Sequence, residues 1–166
     1  RAVTRGNGLE GENVTNNVRT IKSVPLVLHG NDYPDEFEIR GEIFFPKDVF
    51  NGLNKEREEI GEDLYANARN TASGTLKMQD SGVVAKRKLD CYLYFVLGEN
   101  LPFKTHYDSI AKAGEWGFKI PTESFKSIKK CKNIDEIFEF INYWDTERNN
   151  LNFEIDGIVI KVNNYA

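Results

Sequence analysis

The chain has 166 residues, 40% hydrophobic and 29% charged, enough and of the right mix for one ordinary folded domain with a core. A formal net charge of −4 excludes a strongly basic nucleic-acid binder, although basic residues can still cluster locally. Cys91 and Cys131, with His29 and His106 far apart, make neither a disulfide framework nor a zinc site. No apolar run is long enough to span a bilayer and no signal-peptide pattern is present, so a cytoplasmic protein is the expectation.

Arg1-Ala2-Val3-Thr4 reads as the end of a strand whose partner is missing, and Asn163-Asn164-Tyr165-Ala166 follows directly on a strand. The chain is therefore expected to be a fragment of something longer. Thr4–Glu12 is a glycine-rich turn, where Gly6, Gly8 and Gly11 allow tight bends and close ligand approach. Val14, Val18 and Ile21 have the spacing of a short amphipathic helix, and Val24–Leu28 reads as a strand before a turn at Gly30-Asn31-Asp32. Glu36–Phe45 alternates most clearly. Phe37, Ile39, Gly41, Ile43 and Phe45 take one face, and Glu38, Arg40 and Glu42 the other. Pro46 opens a helix with Val49, Phe50 and Leu53 inward and a charged end before Gly61.

Asn67–Lys77 is rich in small and amide residues, which suits a backbone packed close to something. Leu89–Leu97 is an apolar, aromatic strand with Tyr92 and Tyr94, and Tyr107–Trp116 a helix closed near Gly117. Asn133 with Glu136 three residues on is a capping-box pattern, and the stripe Ile137, Phe140, Ile141, Trp144 is a core face. Repeats and low-complexity linkers are absent. Strands outnumber helices and often follow one another directly, which predicts an α+β fold with mostly antiparallel sheets and packed helices.

The last strand, Leu151–Val162, carries features that folding alone does not explain. Asp156 stands just before Gly157, and Ile158–Ile160 reads as buried on both faces. The run then meets Lys161, a charge that a buried strand tolerates only beside an anion. Strand parity places Gly157, Val159 and Lys161 on one face. A glycine, an aliphatic and a cation in a row suit a flat ring with an attached anion. The plain alternative is an edge strand with Lys161 in water.

Four pieces in order, Arg5-Gly6-Asn7-Gly8, Arg40-Gly41-Glu42, Asn67-Ala68-Arg69-Asn70 and Asp156-Gly157-Ile158-Val159-Ile160-Lys161, resemble the adenylation domain of bacterial NAD-dependent DNA ligases. The resemblance covers nearly the whole chain, so residues 1–166 are expected to form one partial adenylation domain. It implies a nucleotidyltransferase (ATP-grasp-like ligase) fold, incomplete at both ends. It also implies a parent enzyme that seals 5′-phosphate/3′-hydroxyl nicks through lysyl-AMP and DNA-adenylate, in replication and repair. The implied substrates are NAD, as AMP donor, and nicked double-stranded DNA, with Mg2+, in a monomer of the bacterial cytoplasm.

By this resemblance Lys161 meets the α-phosphate and Glu42 the ribose hydroxyls. Arg5 lies near ribose and phosphate, and Tyr94 stacks on adenine with Val159 on its other side. Arg148 lies near the nucleotide, Arg69 and Lys77 contact DNA, and Asp156 is the carboxylate for magnesium. Bland readings stand beside these: a cross-strand pair for Glu42, a core ring for Tyr94 with Tyr92 and Phe95 as alternatives, a solvated helix end for Arg148, and a structural acid for Asp156. Asn7 stands where the family often has aspartate, and Lys77 where it often has arginine, which keeps the charge but not the two-pronged geometry. The family's nucleophilic Lys-x-Asp-Gly is missing. Lys88-Leu89-Asp90-Cys91 imitates it but ends in Cys and comes out of order. The isolated chain is thus expected to be inactive. The alternatives are a non-catalytic nucleotide- or DNA-binding module and an ATP-dependent ligase or capping-type nucleotidyltransferase.

Overall fold

The computed structural model describes residues 1–165. In chain order these form α1 (Thr15–Val18), β1 (Glu38–Phe44), α2 (Lys47–Glu59), α3 (Ala68–Leu76), α4 (Ser81–Lys86), β2 (Asp90–Leu97), α5 (His106–Glu115) and α6 (Ile134–Glu147), then a 3₁₀ turn at Arg148–Asn150. The class is α+β. β1 and β2 pair in a two-stranded sheet, with Gly41 against Tyr92 and Leu93 and Gly98 against Phe37, so the strands run antiparallel. A Cβ on Gly41 would lie 2.4 Å from the Tyr92 carbonyl oxygen, which is why Arg40 and Glu42 flank a glycine.

Among the described residues helices outnumber strands, against the expectation. Val24–Leu28 consists of bends and irregular backbone, because Pro25 lacks the amide that a ladder needs. Leu151–Val162 bends at residues 151–153 and is then irregular, not a strand. No strand among the described residues pairs with it, and a β-branched run forms a strand only where a neighbour satisfies its backbone. Val159, Ile160 and Val162 are 78%, 64% and 84% exposed, so the expected burial on both faces is also absent. The shared strand face inferred for Gly157, Val159 and Lys161 lapses with it.

By its contacts the chain divides into two compact units. The first comprises Arg1–Leu26 and Ile43–Cys91. Its buried apolar residues include Val14, Ile21, Phe45, Ala72, Val84 and Leu89, and α1 packs on α4. Buried Asn17 donates its Nδ2 to the Leu76 and Met78 carbonyls, each at 2.7 Å, and so satisfies acceptors left open at the end of α3.

The second unit comprises Val27–Glu42 and Tyr92–Ala166. Val96, Ala113 and Trp116 are its buried centre, ringed by residues that include Phe37, Ile39, Phe103 and Phe118. Trp116 closes α5 as expected, and Gly117 follows at φ +100°, where a side chain would be strained. The Trp116 indole N–H donates to Asp32 at 3.1 Å, and Lys112 pairs with the same carboxylate. In α6 Asn133 accepts from the Glu136 amide at 3.0 Å, while the Glu136 carboxylate accepts from Lys132 rather than Asn133. Trp144 of the expected stripe is buried, and Ile137, Phe140 and Ile141 are half-buried.

Candidate functional site

In the second unit, the Lys161 ammonium lies 5.3 Å from the centre of the Tyr94 ring and 4.5 Å from that of Phe95. The residue as a whole is exposed, yet these rings displace water from its charged end. That desolvation holds its pKa below the ordinary lysine value. Among the described residues no carboxylate pairs with it. Tyr94 is the outward aromatic of β2, 40% exposed between buried Leu93 and half-buried Phe95. Tyr92 is instead covered by Phe153 at 5.5 Å and by the Lys119 ammonium at 4.5 Å.

Lys161 and Tyr94 are thus two expected site residues brought into contact. Glu42 is exposed on β1 beside Gly41, Arg148 begins the 3₁₀ turn, and Val159 and Asp156 are exposed in the irregular segment before Lys161. A Cβ on Gly157 would meet nothing within 4 Å, so the backbone there is open to close approach.

In the first unit Arg5 is exposed in the glycine-rich turn. Its carbonyl accepts from the Gly8 amide at 3.0 Å, and the Asn7 Oδ1 accepts from the Leu9 and Glu10 amides at 2.9 and 2.8 Å. Asn7 therefore closes the turn through the same kind of oxygen that an aspartate offers. Asn67 proves to be the N-cap of α3, accepting from the Asn70 amide at 2.9 Å, and α3 buries Ala72 and Thr75. Arg69 is exposed in its first turn, and Lys77 follows its last residue, paired with Glu12 at 2.9 Å.

Other residues escaped sequence reasoning. Beside α3 is a cavity of about 430 Å3 whose lining includes Tyr65, Asn70 and Arg87. Arg87 donates to Thr75 Oγ1 at 2.8 Å and to the Tyr65 hydroxyl at 3.0 Å. In the second unit His106 packs on Phe95 at 5.6 Å. Only the lysine-rich run Lys86-Arg87-Lys88 hinted at Arg87, and nothing local marked His106. Among the described residues no three His, Cys, Asp or Glu side chains converge on a metal position.

The site is thus a cation without an acidic partner, set against an outward aromatic ring on an α+β frame. The chain belongs to the NAD-dependent DNA ligase adenylation domain family, whose model matches residues 1–166. It is 58% identical over 163 residues to a DNA ligase of Bacteroides fragilis, 59% to one of Phocaeicola vulgatus and 55% to one of Flavobacterium psychrophilum. Each comparison covers 98% of this chain and 24% of the relative, so the chain spans about a quarter of the length of the curated relatives it matches. The family match sets aside an ATP-dependent ligase or capping-type enzyme. Among the described residues no helix is long and apolar enough to cross a membrane.

Proposed function

We propose that this chain is the nucleotide-binding part of an NAD-dependent DNA ligase that seals nicks in duplex DNA in the bacterial cytoplasm. NAD is the AMP-donating substrate. AMP passes from NAD to an enzyme lysine with release of nicotinamide mononucleotide, then to the 5′-phosphate of the nick with release of the lysine, and leaves when the 3′-hydroxyl attacks. Such phosphoryl transfers rely on positioning and charge stabilisation more than on proton transfer. Lys161 meets the α-phosphate, and Tyr94 stacks on adenine with Val159 on the ring's other face. Glu42 accepts from the ribose hydroxyls, and Arg5 and Arg148 lie near the nucleotide. Arg69 and Lys77 hold the nicked strand by its phosphates. Magnesium, carried on the substrate's own phosphates, would neutralise charge there, with Asp156 as its protein carboxylate.

The observation that carries this reading is the Lys161 ammonium against Tyr94 without an acidic partner. An anion arriving there gains a partly desolvated cation, which strengthens the interaction. In the full-length protein, Lys161→Ala is expected to slow single-turnover nick sealing on the order of 100- to 1,000-fold. Lys161→Arg recovers part of that, because a planar guanidinium delivers its charge differently. A parental rate for Lys161→Ala, with a normal melting curve, refutes the phosphate role.

A further inference from the structure

The backbone after Lys161 is fastened to the start of α5. The first amides of a helix have no partner inside it. The Asn163 carbonyl accepts from the His106 amide at 2.7 Å, and the Asn163 Oδ1 accepts from the Tyr107 amide at 2.9 Å. Thr105, the helix's own N-cap, accepts from the Asp108 amide at 3.1 Å. The first three amides of α5 are therefore all satisfied, two of them by one residue from outside.

The next residues extend the clasp. Asn164 bridges to Thr105, and the Tyr165 amide donates to the Lys104 carbonyl at 3.0 Å. The Tyr165 hydroxyl lies 3.0 Å from Oγ of buried Ser109 and 3.4 Å from His106 Nδ1. His106 in turn packs on Phe95, the ring that also holds the Lys161 ammonium. Upstream, the backbone from Glu154 to Val162 belongs to no strand, so no sheet ladder fixes Lys161 from that side.

We propose that Asn163 is a positioning residue for Lys161. By binding the first two amides of α5 it anchors the backbone two residues beyond the lysine and keeps the ammonium beside Tyr94 and Phe95. The inference rests on the phosphate role proposed for Lys161. Asn163 acts through that lysine and touches no substrate.

The test is a double-mutant cycle in the full-length protein, read by single-turnover nick sealing with a melting curve for each variant. Asn163→Ala is expected to slow sealing roughly 10- to 100-fold, the scale on which small misplacements act. Asn163→Asp keeps the acceptor oxygen and adds a charge that a helix N-terminus favours, so it should return to within about 3-fold of the parent. In a Lys161→Ala background the Asn163→Ala loss should shrink to less than about 2-fold, since the two residues act as a unit. A purely structural role would not produce that convergence. A parental rate for Asn163→Ala overturns the inference, as does a loss that persists in full without Lys161, or an Asn163→Asp variant as slow as Asn163→Ala. If Asn163→Ala does not fold, Tyr165→Phe enters the same cycle, judged by the same convergence with Lys161→Ala. A parental rate for Lys161→Ala alone overturns the phosphate reading and this inference with it, whereas a slow Lys161→Ala beside a normal Asn163→Ala overturns the inference only.

Discussion

Burial against Phe95 and Tyr165 disfavours a protonated His106, and the nearby Lys161 charge adds to this, so its pKa lies below the ordinary 6.5. The unfolded chain then takes up a proton before the folded one does. The stability tied to His106 is present above the unfolded value and is lost as pH falls through the folded one. Acidification from about pH 7 to about pH 5 should therefore lower the melting temperature, and His106→Gln should flatten that part of the curve. A variant whose pH dependence matches the parent would show that the ring titrates freely. Asp32 acts in a different window. Lys112, then the Trp116 indole, hold its carboxyl below the ordinary 3.8, so its contribution is lost only at lower pH.

At the scale of elements, α3 is the helix whose existence needs most explanation. Gly74, Thr71 and Thr75 are poor helix formers, and the segment has little apolar surface. Its N-terminus is held by the Asn67 cap and its C-terminus by buried Asn17, with Ala72 and Thr75 packed beneath. In this way Arg69 and Lys77 are presented from one short rigid rod, about 12 Å apart along its axis. The exposed Lys77–Glu12 pair contributes only about 0–1 kcal/mol. Lys77→Ala should thus leave the melting curve nearly unchanged while lowering the salt slope of nicked-DNA binding by about one. An unchanged slope would place Lys77 away from the DNA backbone.

At the scale of the whole chain, none of the 166 residues begins a Lys-x-Asp-Gly motif. The imitation at Lys88 is a turn feature. Lys88 sits exposed at φ +53° between α4 and β2, and the Asp90 Oδ1 is engaged by the Cys91 amide at 2.8 Å. Incubating this chain alone with NAD and magnesium should give no AMP adduct by intact mass spectrometry. An adduct on any lysine would overturn that expectation, and one on Lys88 would identify the turn as reactive.

Local chemistry was legible wherever it is written in neighbouring residues. The alternation of Glu36–Phe45 anticipated β1, the Asn133 cap anticipated the start of α6, and Trp116-Gly117 the end of α5, because each depends on contacts within a few positions. The order of the four short motifs also pointed to the family that the comparisons show. Two things lay outside that reach. A β-branched run at Ile158–Val162 has strand propensity, but a strand also needs a partner's amides and carbonyls, which the run itself cannot supply. The clasp of Asn163 on Tyr107 joins residues 56 positions apart, and the meeting of Lys161 with Tyr94 likewise depends on the path of the chain between them. Residue types alone determined which groups could bind a base and a phosphate. Only tertiary structure decided which of them meet, because proximity between distant residues is a property of the packed chain.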